Sequence, residues 1–297
     1  MNVLIVKLGA TGDVVRTTAL LHRLTGPVTW ITSEGNRSLL PEAREGFRVL
    51  SWEERNQALE QHYDLVISLE DEIDVALFVR DVDCTQVFGA FTQDGKTVEY
   101  SKDSSGWFDL SLLSVHGRDR ADVLKLENRR TYQELIFEGL GFEFHGEPYV
   151  LPAASGTDLS GDIAIAPVAG AVWPMKNWAY YGELQAELEN LGYIVNVLPT
   201  RPTLLEHLGD IQAHRCLVSG DSLPMHLALG SKVRCVAIFN CTSPWEIYDY
   251  GLLQKMISPS LSAHFYQRGF DPAATEALPM SEVLDAVVGQ VNQSADA

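Results

Sequence analysis

Short, nearly continuous apolar segments alternate along the chain with segments in which apolar residues recur at helical spacing. The apolar runs are rich in β-branched residues, which is typical of strands buried on both faces of a parallel sheet. In the first half of the chain, strands are predicted at 2–8, 27–33, 48–52, 63–69 and 85–91, with helices at 13–24 and 71–79. Strands that alternate with helices favour βαβ units and a parallel sheet.

The alternation is interrupted between residues 92 and 161. Residues 92–120 are rich in Gly, Ser, Asp and aromatic side chains, and we predict loops and short strands over the mouth of the first domain. Residues 122–139 show the pattern of one amphipathic helix. Residues 141–161 carry Gly, Pro, Ser and Asp, a composition that predicts an interdomain linker.

The alternation then restarts. Strands are predicted at 162–167, 193–198, 215–219 and 233–239, and helices at 176–190, 203–212, 222–230 and 279–293. The sequence therefore predicts an α/β protein with two Rossmann-like, doubly wound domains that face a central cleft. We place the domains at 1–150 and 151–297. The last helix belongs to the second domain or, as an alternative, packs back on the first.

Composition and charge narrow the class of protein. With 297 residues, of which 46% are apolar and 21% charged, the chain fits a globular protein, and its length agrees with two domains of roughly 150 residues. There are 22 Lys and Arg against 40 Asp and Glu, a formal charge of −18. Such a protein repels nucleic acid and anionic membranes. We therefore expect any anionic ligand to be held by a local group of cationic side chains and backbone N–H groups.

Cysteine usage and the apolar runs bear on location. The four cysteines form no C-x-x-C pair and no zinc-like spacing with His, so we expect buried free thiols, a reducing compartment and no metal site. The apolar run in MNVLIVKLGATGD is too short for a signal peptide, and no run of about 18 apolar residues occurs. We expect a cytoplasmic protein without membrane insertion.

The first candidate loop is GATGD at residues 9–13. Ligands of open parallel sheets bind beyond the carboxyl ends of the strands, and this loop follows the first strand. It lacks both the G-x-G-x-x-G and the G-K-[ST] signatures, but Gly9 and Gly12 let the backbone approach a ligand closely. Asp13 at the predicted helix start is either an N-cap or a general base, since a helix start favours the ionised carboxylate.

The second candidate loop, VAGAVWPMKNW, follows the strand at 162–167. Gly170 gives it flexibility, and Trp173 and Trp178 are candidates to line a pocket. Lys176 places a positive charge there. It is either an ordinary solvated lysine or the cation that neutralises a diphosphate.

The third candidate loop, SGDSLPMHLALG, opens a helix at Asp221 and Ser222. The first N–H groups of that helix form an anion site. His226 lies one turn after Ser222 and faces roughly the same way; it is either a structural histidine or part of the site. Thr242, in the loop after the next strand, belongs to a plain turn or contacts a nucleotide or sugar.

Together these loops resemble glycosyltransferase family 9, the ADP-heptose:lipopolysaccharide heptosyltransferases. The resemblance rests on V-K-x-G-x-x-G-D-V at 6–14, G-A-x-W-x-x-K-x-W at 170–178, S-G-D-S-x-P-M-H-L-A at 219–228 and F-x-x-T-S-P at 239–244. These motifs occur in the family's order across nearly the whole chain.

The resemblance implies the GT-B fold and an inverting, metal-independent glycosyltransferase. The enzyme would move a sugar, expected to be heptose, from an NDP-sugar, expected to be ADP-heptose, to a hydroxyl of a glycan or small-molecule acceptor, with no further cofactor. It also implies that Asp13 is the catalytic base, that Lys176 binds the donor diphosphate and that Asp221 contacts the donor sugar. The other implied donor-binding residues are Gly170, Ala171, Ser222, Leu223, His226 and Thr242. The implied acceptor-side residues are Gly9, Thr11, Gly12 and Arg16.

Other functions stay open at this point. A GT-B-like NDP-sugar epimerase or hydrolase would share the donor site, and so would a sugar-nucleotide-binding protein without catalysis. An NAD(P) oxidoreductase is disfavoured, because neither half of the chain carries the glycine fingerprint of a dinucleotide site.

Overall fold

Each half of the chain folds around its own predominantly parallel sheet. The computed structural model describes residues 1–41, 44–107 and 113–293. The chain divides into two units, Met1–Pro152 and Ala153–Ala297. The division falls inside the linker predicted at 141–161.

The sheet of the first unit has six strands in the order β3-β2-β1-β4-β5-β6. Their bounds are β1 Val3–Val6, β2 Val28–Thr32, β3 Phe47–Ser51, β4 Tyr63–Ser68, β5 Cys84–Phe91 and β6 Glu99–Tyr100. The first five are parallel, and β6 pairs antiparallel with β5. The chain winds from β1 to one edge and then crosses to β4, so the carboxyl ends of β1 and β4 flank the switch point where such sheets bind ligands.

The helices of the first unit are α1 Thr11–Thr17, α2 Ile73–Asp81, α3 Leu113–His116, α4 Arg118–Glu127 and α5 Tyr132–Gly139. Short 3-10 helices cover Thr18–His22, Glu34–Leu39, Arg55–Glu60 and Lys102–Ser104. The predicted start of a helix at residue 13 is wrong, because α1 begins two residues earlier. Of the predicted loop region 92–120, residues 108–112 lie outside the described residues.

The single helix predicted at 122–139 is wrong. Asn128 exchanges hydrogen bonds with Arg130 through its side-chain amide, which closes a turn. Thr131 then starts α5 with a capping box, accepting from Glu134 N while the Glu134 carboxylate accepts from Thr131 N. The turn at Asn128 ends one helix and the capping box at Thr131 starts the next, although the amphipathic pattern continues across both.

The sheet of the second unit has five parallel strands in the order β11-β10-β9-β7-β8. The bounds are β7 Gly161–Ala166, β8 Val195–Val197, β9 His214–Gly220, β10 Arg234–Phe239 and β11 Leu253–Ile257. Strand β11 is absent from the sequence prediction. As an edge strand it buries only Leu253 and Met256, so it lacks the continuous apolar run that marks the central strands.

The helices of the second unit are α6 Tyr181–Asn190, α7 Leu204–Gln212, α8 Leu223–Gly230, α9 Leu261–His264, α10 Pro272–Glu276 and α11 Met280–Gln293. The predicted helix start at residue 176 is wrong, because Pro174–Lys176 forms a 3-10 turn before α6. Val283, Val287 and Val291 of α11 are fully buried in the same apolar core as Val236 and Ile238 of β10. The last helix thus completes the core of the second unit.

All four cysteines are free thiols; Cys216, Cys235 and Cys241 are buried, and Cys84 is partly exposed. Burial raises the pKa of the Cys216 thiol to about 12, so it is an inert core group at neutral pH. Within the described ranges, every helix is too short or too polar to cross a membrane.

Candidate functional site

A buried ion pair organises the switch point of the first sheet. Lys7 follows β1 and Glu70 follows β4, and Lys7 Nζ lies 2.9 Å from Glu70 Oε1. The same oxygen accepts from the backbone N–H groups of Leu8 at 2.6 Å and Gly9 at 3.1 Å. Glu70 therefore fixes the start of the loop that leads to Asp13. Burial alone would lower the pKa of Lys7, but the Glu70 and Asp13 carboxylates raise it, so the ammonium stays charged.

Asp13 lies in the first turn of α1, at the third helical position. Ala10 is the N-cap residue, so the alternative that Asp13 caps the helix is wrong. Asp13 Oδ1 lies 2.9 Å from Arg16 Nη2, and the Asp13 side chain is 35% exposed. Arg16 on one side, Lys7 near by and the helix start all favour the ionised carboxylate. The group is thus charged and reachable from solvent, as a general base must be.

Arg16 is itself held in place. Its guanidinium stacks over the ring of Tyr132 at 3.9 Å, and the Tyr132 hydroxyl pairs with Thr17 Oγ1 at 2.7 Å. The Arg16 side chain is only 13% exposed. Arg16, predicted as an acceptor-side residue, is therefore brought to Asp13 and orients it.

The glycine-containing loop itself is anchored from outside. Thr11 Oγ1 donates to Asn36 Oδ1 at 2.8 Å, and Asn36 Nδ2 donates to the Leu8 carbonyl at 2.7 Å. A side chain added at Gly9 would meet no other group within 4 Å, so the space beside it is open. Gly12 lies in the first turn of α1.

In the second unit, Lys176, Asp221 and Thr242 meet at the carboxyl edge of the sheet. They follow β7, β9 and β10, which are neighbours in the sheet. Lys176 Nζ lies 3.0 Å from Asp221 Oδ2 and donates to the Asp221 carbonyl at 2.5 Å, and Thr242 Oγ1 donates to Oδ2 at 2.7 Å. We call this group the Lys176 cluster.

Asp221 is the electrostatic centre of the Lys176 cluster. Burial alone would raise its pKa, but the charges of Lys176 and His226 and the hydrogen bonds from Thr242 and Lys176 lower it to about 2. His226, which is 4% exposed, thus acts on Asp221. Gly220 permits the close approach of these loops, because a Cβ there would lie 2.7 Å from the Lys176 carbonyl oxygen.

The start of α8 offers fewer amides than the sequence pattern predicts. Ser222 is the N-cap residue, but its hydroxyl donates to the Gly220 carbonyl at 3.3 Å and accepts no hydrogen bond from the helix N–H groups. Pro224 has no N–H, and the N–H of Met225 donates to the Ser222 carbonyl at 3.1 Å. The amides of Ser222 and Leu223 therefore carry most of the anion-binding capacity of this turn.

A cavity of about 510 Å³ opens beside the Lys176 cluster. Ser222, which directly follows Asp221, lines this cavity, and so do Gly170 and Leu223. Its apolar lining is drawn mainly from the ends of β7 and β8 and the starts of α7 and α8, namely Ala166, Pro167, Val168, Val197, Leu198, Pro199, Leu204, Leu223 and Pro224. Lys176, Asp221, His226 and Thr242 do not line it, and Ala171 lies in the exposed turn next to Gly170.

Two further cavity residues, Arg201 and His207, escape the sequence analysis. Arg201 donates to both carboxylate oxygens of the fully buried Asp210, at 2.7 and 2.8 Å, and to Asp158 at 2.7 Å. Burial lowers the pKa of His207, so its ring is neutral at pH 7. Because these partners come from separate segments, no local motif signals them.

Two tryptophans, Trp173 and Trp178, are predicted to line a pocket. The prediction is wrong for Trp178, which is 3% exposed and packs in the core against Tyr181. Trp173 lies in the loop before Lys176, with its ring edge against Tyr266 at 5.5 Å between centroids. Among the described residues, no group of three or more His, Cys, Asp and Glu side chains is arranged to hold a metal ion.

Only the comparison with solved structures finds similar proteins. No protein-family model and no curated protein matches the sequence. The structure resembles the glycosyl transferase family 9 protein from Veillonella parvula, with 13% identity, a TM-score of 0.68, and coverage of 98% of this chain and 97% of that one.

Two Escherichia coli enzymes give similar matches. Heptosyltransferase WaaC, solved with ADP, is 15% identical with a TM-score of 0.63, over 98% of this chain and 100% of that one. The ADP-heptose lps heptosyltransferase II is 16% identical with a TM-score of 0.61, over 99% and 100%. The predicted α/β class is confirmed, and the chain has the fold of family 9 glycosyltransferases.

Proposed function

We propose that the protein is a glycosyltransferase that uses a nucleotide-sugar donor. The donor that we propose is ADP-heptose. The observation that carries the proposal is the Lys176 cluster beside an apolar cavity at the carboxyl edge of the second sheet. The shared fold supports it, since one structural neighbour, heptosyltransferase WaaC, was solved both with ADP and with ADP-2-deoxy-2-fluoro heptose.

The cavity suits the nucleoside part of the donor. Its volume and apolar lining are those of a small-molecule site, and the amides of Ser222 and Leu223 lie at its end, where a phosphate can accept from them. In this proposal Lys176 contacts the diphosphate, and Asp221 accepts from donor-sugar hydroxyls. Leu223 adds an apolar side chain to the lining of the cavity.

In the proposed reaction, Asp13 takes the proton of the acceptor hydroxyl as that oxygen bonds to the anomeric carbon. The bond from the anomeric carbon to the diphosphate breaks, and the nucleoside diphosphate leaves with the electron pair. Attack from the face opposite the leaving group inverts the anomeric centre. Lys176 and the amides at the start of α8 stabilise the leaving charge without a metal ion, an effect that contributes several kcal/mol in related sites.

We also propose a cytoplasmic location and a glycan or small-molecule acceptor. The four free thiols fit a reducing compartment. The acidic balance of −18 disfavours nucleic acid and anionic membrane surfaces as partners.

A panel of ADP-, UDP-, GDP- and dTDP-sugars tests the proposal. We expect ADP-heptose to raise the melting temperature most, because a ligand at a hundred times its Kd stabilises by about 2.7 kcal/mol. Release of ADP from ADP-heptose is expected to be slow alone and to accelerate with a hydroxyl acceptor from a glycan panel. Rapid turnover without acceptor would indicate a hydrolase or epimerase instead. Binding without turnover under any condition would leave a sugar-nucleotide-binding protein, and no shift with any nucleotide sugar would refute the proposal.

A further inference from the structure

The Lys176 cluster carries little net positive charge toward a ligand. Lys176 is paired with Asp221 at 3.0 Å, so the lysine charge is already offset. A nucleoside diphosphate sugar bears negative charge on both phosphates, and the protein around it is acidic overall. A further cation at this edge of the sheet would complete a diphosphate site.

Most of the other cations of the second unit are committed or lie elsewhere. Arg201 is paired with Asp210 and Asp158, and Arg215 with Asp162. Lys232 and Arg234 lie at the start of β10, at the amino edge of the sheet. Arg268 is exposed, and within the described part of the chain no carboxylate lies within ion-pair distance of its guanidinium.

Arg268 is placed against the loop that carries Lys176. Its guanidinium lies over the ring of Trp173, 5.6 Å from the ring centroid. The Trp173 carbonyl accepts from the backbone N–H of Lys176 at 3.0 Å, so the two residues share one turn. When a guanidinium stacks on an indole, its N–H groups point outward in the plane of the guanidinium and stay free to donate to a ligand.

The segment that carries Arg268 is also tied to the loop of Thr242. The N–H of Tyr266 donates to the carbonyl of Cys241 at 2.8 Å, and the Tyr266 ring packs edge-on against Trp173. Asn240 Nδ2 donates to the carbonyl of Met175 at 3.0 Å, which joins the two loops directly. Three segments far apart in sequence thus converge beside the Lys176 cluster, and one of them carries Arg268, which forms no ion pair with any residue that the structure describes.

We propose that Arg268, held on Trp173, is a donor-binding residue that contacts the second phosphate of the nucleotide sugar's diphosphate, counted from the nucleoside. The inference rests on the proposed function and adds to it a cation outside the family 9 motifs. A guanidinium binds phosphate oxygens through two parallel N–H donors and can therefore orient the phosphate. Lys176, whose charge is offset by Asp221, has no such pair of donors.

The test is calorimetric titration of the full-length protein and of Arg268→Gln with ADP and with AMP. We expect Arg268→Gln to weaken ADP binding about tenfold or more, the usual worth of a charge-assisted hydrogen bond. AMP binding is expected to change much less, and Arg268→Lys to keep part of the ADP affinity. Lys232→Gln removes one exposed lysine from the amino edge of the same sheet, and is the matched control with unchanged ADP binding.

The outcomes separate the inference from the proposed function. Wild-type affinity for ADP in Arg268→Gln would overturn the role of Arg268 and leave the nucleotide site intact. An equal loss for ADP and AMP would overturn it too, because the contact would not be with the second phosphate. Failure of the wild-type protein to bind ADP would overturn both. Since Arg268 is exposed, an unchanged melting temperature is expected to show that the variant is folded.

Discussion

Asp13→Asn is expected to slow sugar transfer by about 10²–10⁴-fold, the usual contribution of a general base, while ADP binding is unchanged. The asparagine oxygen can still accept from Arg16, which lies 2.9 Å from the carboxylate in the wild type. The fold of the loop is held independently by Glu70 and Asn36. The substitution therefore removes the negative charge and the proton acceptance of residue 13 and leaves the anchors of the loop in place.

The measurement is the rate of ADP release from ADP-heptose at saturating donor and acceptor, together with the Kd for ADP. Asp74→Asn is the matched control, because Asp74 is an exposed aspartate in the first turn of α2. We expect the control to transfer at the wild-type rate. Near-wild-type transfer by Asp13→Asn would show that another group takes the proton.

Lys176→Met is expected to destabilise the protein by about 3–5 kcal/mol, as when one partner of a buried ion pair is removed. The Asp221 side chain is 14% exposed, and without Lys176 only His226 and the Thr242 hydroxyl would offset its charge. The double variant Lys176→Met/Asp221→Asn removes both charges and is expected to recover most of the stability. Neither variant is expected to bind ADP with wild-type affinity, since both lack the ammonium group.

Urea unfolding of the three proteins measures the first effect, and ADP titration the second. The pKa of Asp221 is about 2 in the folded protein against an ordinary 3.8. The carboxylate therefore contributes its full stabilisation above about pH 4, and the contribution is lost as the pH falls toward 2. A Lys176→Met variant as stable as the wild type would show that the pair contributes nothing. Wild-type ADP affinity in the double variant would remove Lys176 from the donor site.

The central strands and their burial are predictable from the sequence because each strand is a continuous apolar run. β1, VLIV, is fully buried, and β10, RCVAIF, nearly so. Helix α7 is likewise marked by its capping box of Thr203 and Glu206. The errors have local causes: the turn at Asn128 breaks one predicted helix, and Pro174 delays another. The edge strand β11 buries too few side chains to be recognised.

The site shows the same division. Lys176, Asp221 and Thr242 could be grouped in advance because each follows a strand of one parallel sheet, and carboxyl ends share an edge. The anchor of the Asp13 loop could not, since Glu70 lies 63 residues from Lys7 and carries no motif. Arg268 was missed for the same reason: a ring contact with Trp173 is not visible in spacing. Sequence patterns mark strand ends, whereas contacts between distant segments require the structure.

Photoaffinity labelling with 8-azido-ADP, followed by peptide mapping, tests most directly whether the carboxyl edge of the second sheet is a nucleotide site. We expect the label on the segments that line the cavity, at 166–170, 197–207 and 222–224, and we expect excess ADP to prevent it. Labelling confined to residues 1–152, or labelling that ADP does not compete away, would contradict the donor site proposed for this protein.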